Sequence, residues 1–126
     1  MEIVNDIIHI NRGNKLQFDY SIDSNGSDYV FKDGDVITFS VYHKLEMDDE
    51  PVVNKSFTPD IGATMVSIDI SNEEMRIGEP INQPDEYWYQ IRLNADIVSG
   101  YNSSGPKKLI LYPEGKRIVV EDEQNA

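Results

Sequence analysis

The run Asp85-Glu86-Tyr87-Trp88-Tyr89-Gln90-Ile91-Arg92-Leu93-Asn94 constrains the chain more than any other stretch. Tyr87, Tyr89, Ile91 and Leu93 recur at every second position, with Trp88, Gln90, Arg92 and Asn94 between them. Successive side chains of a strand point to opposite faces, so the run predicts a half-buried strand with its rings toward a core. Rings and β-branched side chains fit such a pleated surface. No other segment combines this length, alternation and bulk, so this strand is expected at the centre of a sheet.

The rest of the chain supplies its neighbours. Met1 to Ile10 carries Ile3, Val4, Ile7, Ile8 and Ile10, a β-branched content that predicts a strand rather than a helix. A turn is expected at Asn11-Arg12-Gly13-Asn14. Leu16, Phe18, Tyr20 and Ile22 alternate with polar residues, and Asn25-Gly26 marks a tight turn able to take positive φ. Further strands are predicted over Val36–His43, Val52–Phe57 (near an edge), Met65–Ile70, Lys107–Tyr112 and Lys116–Val120. The central strand is expected to run on to Ile97 or Val98. Ser71 with Glu74 three residues later forms a capping-box pattern, predicting a short helical turn near 71–77 stopped by Gly78.

Short strands with turns every few residues predict an all-β fold: an antiparallel β-sandwich of about seven to eight strands. The 126 residues fit one domain, with an N-terminal strand or arm over 1–14, a sandwich over 15–120 and a frayed acidic tail over 121–126. Such a chain is long enough to bury a core without staples. Cysteine is absent, which removes disulfides and thiolate chemistry.

Eleven basic against 23 acidic residues give a net charge of −12. That field repels phosphate backbones and anionic lipid, so neither nucleic acid nor a membrane is an expected partner. A basic partner face is. No apolar run approaches a membrane span, and the N-terminus lacks the basic flank of a signal peptide.

Motifs for chemistry are sparse. The acidic stretch Glu46–Glu50 and the turn Asp33-Gly34-Asp35 lack the spaced carboxylates of a calcium loop. His9 and His43 are the only histidines, too few for a zinc site without cysteine. His43 shares the parity of Phe39 and Val41 and is placed at the end of the inward face. No Gly-x-Ser-x-Gly and no phosphate loop occurs. The expectation is a non-enzymatic protein with no cofactor and no metal. Better candidates concern binding. Trp88 and Arg92 fall on the face opposite the inward rings, and an outward tryptophan is typical of interfaces. Ile3 and Ile7 lie on the N-terminal arm. Ser99–Pro106 is the longest run of turn formers, with Tyr101, Asn102, Ser103 and Ser104 at its centre, the residue types of adaptable recognition loops.

Three segments in order resemble the N-terminal domain of phage baseplate upper proteins and related tail or fibre proteins of phages that infect Gram-positive bacteria. They are Arg12-Gly13-Asn14 before Leu16-x-Phe18, then Gly34-Asp35-x-Ile37-x-Phe39-x-Val41, then Ile68-x-Ile70-Ser71-x-Glu73-Glu74 leading to Tyr87-x-Tyr89-x-Ile91-x-Leu93. The resemblance covers roughly Asn11 to Val120. The chain departs from the pattern at Asn14, where aspartate is usual, and in longer segments over Gly78–Glu86 and Asp96–Lys107. The resemblance implies an immunoglobulin-like sandwich and an assembly role: a virion structural protein, made in the bacterial cytoplasm, docking on itself or on other virion proteins. It carries over no catalytic residue. The second expectation is a carbohydrate-binding module that reads host glycans through Trp88 and Tyr101.

Overall fold

A computed structural model describes residues 1–43, 50–100, 105–115 and 118. Lys44–Asp49, Tyr101–Ser104, Lys116, Arg117 and Val119–Ala126 lie outside the described residues. So do most of the acidic loop, the centre of the Ser99–Pro106 loop, nearly all of the predicted strand Lys116–Val120, and the tail.

The fold is all-β. Its strands are β1 (Glu2–Val4), β2 (Ile7–Asn11), β3 (Leu16–Tyr20), β4 (Asp23–Ser24), β5 (Ser27–Asp28), β6 (Ile37–Tyr42), β7 (Val53–Phe57), β8 (Val66–Ile70), β9 (Asp85–Leu93), β10 (Asp96–Ser99) and β11 (Lys107–Tyr112). Among the described residues a seven-stranded sheet runs β1-β2-β11-β9-β6-β7, with β10 also on β9. The ribbon β3–β8 forms a second layer. Phe18 meets Phe39 edge-on across the layers, ring centroids 6.1 Å apart.

β9 is central, as its sequence predicts. One edge pairs antiparallel with β6 from Ile37↔Leu93 to Tyr42↔Trp88. Its other edge is shared: Asp85–Tyr89 pair with β11, and the Ile91–Leu93 end pairs with β10. Tyr87, Tyr89 and Ile91 are buried beside Phe39, Val41, Leu109 and Leu111. Leu93 is only half-buried at the rim.

The predicted continuation of this strand to Val98 is interrupted. Asn94 takes φ 55°, and β10 folds back as a hairpin. Asn94 belongs to a lock that spans the sheet end. Its amide nitrogen donates to the Val36 carbonyl at 2.8 Å, and its Oδ1 accepts from the Val36 N–H at 2.9 Å. Its Nδ2 donates to Asp35 Oδ1 at 3.1 Å. Asp35 Oδ2 accepts from the Tyr29 hydroxyl at 2.7 Å and the Lys32 N–H at 2.9 Å. The Gly34-Asp35 pair is therefore a turn anchor, with Gly34 at φ 88°.

The N-terminal segment differs from the single strand or arm expected. Asn5 and Asp6 take φ 51° and 65°, the paired left-handed geometry of a tight hairpin turn. β1 and β2 are thus two strands, and β2 is an interior strand with Ile8 and Ile10 buried. Short polar side chains tolerate that geometry, a signal that the isoleucine content obscured. β2 pairs parallel with β11, Leu109 opposite Ile8, so the sheet is mixed rather than wholly antiparallel.

The capping box forms as its residues predict. Ser71 N–H donates to Glu74 Oε1 and Glu74 N–H to Ser71 Oγ, each at 3.2 Å. A Met75-to-Ser71 backbone bond follows at 3.0 Å and an Arg76-to-Glu73 bond at 3.1 Å, a hydrogen-bonded turn rather than a helix. Arg12 fastens it to β2, donating to the carbonyls of Ile77 and Gly78, each at 3.1 Å. The edge strand β7 carries Lys55 opposite the buried Phe39, with its ammonium 3.0 Å from Glu74. A charge on the inward side of an edge strand blocks edge-to-edge pairing.

Two measurements test this packing. Phe39→Ala empties a fully buried ring site, and chemical denaturation is expected to show a loss of about 3–5 kcal/mol. The Lys32 N–H foremost, then the Tyr29 hydroxyl and the Asn94 amide, hold the Asp35 carboxyl below its ordinary pKa. A group depressed in the folded state stabilises above its unfolded pKa, and that contribution disappears as pH falls through the folded value. Asp35→Asn should therefore flatten the acid limb of a melting-temperature profile below about pH 4.

Candidate functional site

The outer face of the large sheet gathers three of the sequence candidates. Trp88 is flanked by Lys108 on β11 and Tyr42 on β6. Ile7 and Lys108 immediately precede the parallel pair Ile8–Leu109, which extends the row to Ile7–Lys108–Trp88–Tyr42. At the β2 end of this row lies a groove of about 330 Å³. Trp88, Ile7 and Pro106 are its apolar walls, and Asn5, Asp6, Lys107 and Lys108 its polar ones. Pro106 closes the Ser99–Pro106 loop, so the structure brings Ile7, Trp88 and one end of that loop together. The loop that leads into β9 is not among the groove's walls: it lines a separate depression from Pro80 to Asp85.

The groove is fixed from beneath. Tyr89, on the inner face, sends its hydroxyl to the Asp6 carbonyl at 2.6 Å. Its ring packs 5.7 Å from that of Phe39. Burial first, then the nearby Asp6 carboxylate, pushes the Tyr89 phenol far above its ordinary pKa, so it remains a donor. Lys107 Nζ lies 3.1 Å from Asp6 Oδ2, with only 16% of its side chain exposed. Lys108 Nζ lies 3.5 Å from Glu86 Oε1 and 5.4 Å from the Trp88 ring centroid, a cation–π distance.

Arg92 does not form a free interface cation. Its Nη2 donates to the Tyr42 hydroxyl at 3.3 Å. With the Gln90 amide oxygen turned toward it, Arg92 Nε and Nη2 donate at 3.0 and 2.7 Å. Both partners are neutral and buried, so Arg92 braces the outer face. Ile3 sits 42% exposed on the edge strand β1, away from the groove walls. Tyr101, Asn102, Ser103 and Ser104 lie outside the described residues.

The histidines separate. His9 is buried on the outer side of β2, its Nδ1 2.9 Å from the Tyr112 hydroxyl. Desolvation lowers its pKa, against the opposing pull of Glu2. His43, placed by parity at the end of the inward face, lies at that face's exposed rim, 3.7 Å from Asp85 and with its ring 4.9 Å from that of the inward Tyr87.

Sequence reasoning missed a second surface. Ile61, Met65 and Val30 are 71%, 58% and 50% exposed. Two backbone bonds join their loops: Phe31 N–H to the Ala63 carbonyl at 2.9 Å and Gly62 N–H to the Phe31 carbonyl at 2.8 Å. Phe31 is the buried anchor between them. Met65 also lines a shallow groove of about 260 Å³ with Phe57, Pro59 and Val66. The available signal was the mismatch of Tyr29-Val30-Phe31, where rings at both ends turn inward and leave Val30 outside.

No protein-family model, curated protein or solved structure matches the chain.

Removing the phenol that supports the groove isolates its contribution. Tyr89→Phe is expected to cost about 1 kcal/mol. Amide exchange should accelerate at Asn5, Asp6 and Ile7 while the Ser71–Glu74 turn is unchanged; uniform acceleration would refute the local role.

Proposed function

We propose that this chain is a non-enzymatic phage or prophage virion structural protein that works by docking on other virion proteins. The observation that carries the reading is the exposure of Ile61, Met65 and Val30 on two loops joined by backbone hydrogen bonds, which we read as one apolar tip. Exposed apolar clusters with polar rims are typical of protein–protein contacts. Burying such side chains contributes about 1–2 kcal/mol each at their present exposure. Asp33 and Asp60 are exposed on the same loops and Asp28 at the end of β5 beside them, against one exposed cation, Lys32, which leaves the tip a net acidic rim. A virion subunit with an apolar centre and a basic rim fits it, and the net charge of −12 disfavours indiscriminate contacts among copies.

The order of motifs that resembles baseplate upper proteins supports the same reading. The layered all-β fold suits a tail, baseplate or fibre subunit, and we read it as an immunoglobulin-like sandwich. The guarded β7 edge agrees with a subunit whose contacts are made by side-chain surfaces rather than by open strand pairing.

The reading is tested on particles. Quantitative mass spectrometry of purified virions should find the chain at stoichiometric copy number. Particles assembled with the Ile61→Asp, Met65→Asp double variant should lose it, while the isolated variant keeps its melting temperature. Absence of the wild-type chain from particles overturns the proposal.

A further inference from the structure

We infer that the groove beside Trp88 is a binding site for a neutral pyranose, a sugar unit of an uncharged glycan. This function is separate from docking through the Ile61–Met65 tip and stands on different residues.

The size comes first. At about 330 Å³ the groove lies at the lower end of small-ligand sites, suited to one or two sugar rings rather than to a folded partner. Its make-up comes second. Small-ligand sites combine apolar walls with a few fixed polar groups. Here an indole, an isoleucine and a proline provide the walls, and Asn5, Asp6, Lys107 and Lys108 the polar groups, whose charges are met by carboxylates in or beside the groove. Lys107 is paired with Asp6 at 3.1 Å, and Lys108 with Glu86 at 3.5 Å.

Those pairs decide the ligand class. A hydroxyl is both donor and acceptor, and an ammonium beside a carboxylate offers the complement of each. A pyranose has hydroxyls around its rim and an apolar C–H face, which matches a ring wall with paired charges beside it. A cationic ligand meets Lys108 already seated over the indole. An anionic ligand meets Asp6 and the field of a chain with net charge −12. A neutral polyol meets neither obstacle.

The site is also held in shape before any ligand arrives. Asp6 sits in a two-residue turn at φ 65°, and the buried Tyr89 hydroxyl fixes its carbonyl. Little loop ordering then opposes binding.

Trp88 is the chain's sole tryptophan, so its emission reports this groove without interference. The wild-type protein is titrated with methyl β-D-glucopyranoside, methyl β-D-galactopyranoside and methyl N-acetyl-β-D-glucosaminide. At least one is expected to shift Trp88 emission saturably, with a Kd of about 1 mM, as befits a single ring. Asp6→Asn should weaken that binding about tenfold. Trp88→Phe and Trp88→Ala, read by saturation-transfer NMR, should weaken and abolish it; Trp88→Phe keeps a ring in place should the alanine variant fail to fold. The Ile61→Asp, Met65→Asp variant should bind sugar unchanged, which separates this site from the docking tip. Absence of a saturable shift for all three glycosides up to about 10 mM overturns the inference, as does binding of methyl β-D-glucuronide in preference to them, or binding that survives Trp88→Ala.

Discussion

One phenol connects the two halves of this molecule. Tyr89 is held by strand pairing to Val41 on one side and Lys107 on the other. Its ring packs on Phe39, and its hydroxyl reaches the carbonyl of Asp6. The central strand, the core and the N-terminal hairpin therefore share one side chain. A hydrogen bond to a half-buried carbonyl contributes only about 1 kcal/mol, but here it decides where a turn sits. The groove beside Trp88 exists because that turn is held against the start of β11.

Much of the fold was legible because alternation is a local signal. β9, β6, β8 and β11 appear where period-two patterning places them, and the Ser71–Glu74 capping box closes as its spacing requires. What was not legible depended on backbone conformation or on distant partners. Asn5-Asp6 and Asn94 reverse the chain with positive φ, and each sits inside a run whose side chains read as one strand. The parallel pairing of β2 with β11 leaves no trace in either segment alone. Of the binding candidates, Trp88 and Ile7 converge on one groove, whereas Arg92 is tied to Gln90 and Tyr42. The Ile61–Met65 tip was hidden because single apolar residues in loops look like ordinary punctuation.

Charge follows the same logic of placement. Lys55, Arg76, Lys107 and Lys108 each face a carboxylate, as do Arg12 and Lys15. Most of these pairs are exposed, where an ion pair contributes at most about 1 kcal/mol. What matters is where they sit. Lys55 protects an edge, Arg12 fastens the Ser71–Gly78 turn, and Lys107 orients the Asp6 turn. Among the described residues, Asp23, Asp28, Asp33, Asp60 and Glu73 are exposed, where they keep like molecules apart.

The neighbouring strands β2 and β11 meet across about 100 residues of chain. Contacts this remote in sequence are costly to close and slow the search for the native state. During synthesis, Ile8 and Ile10 emerge early but find their lasting companions only once Leu109 and Leu111 have cleared the ribosome. Until then β2 is without its β11 neighbour, and the nascent chain is open to wrong pairings with other chains. Production of this protein should thus depend on how well the cell shields its earliest isoleucines.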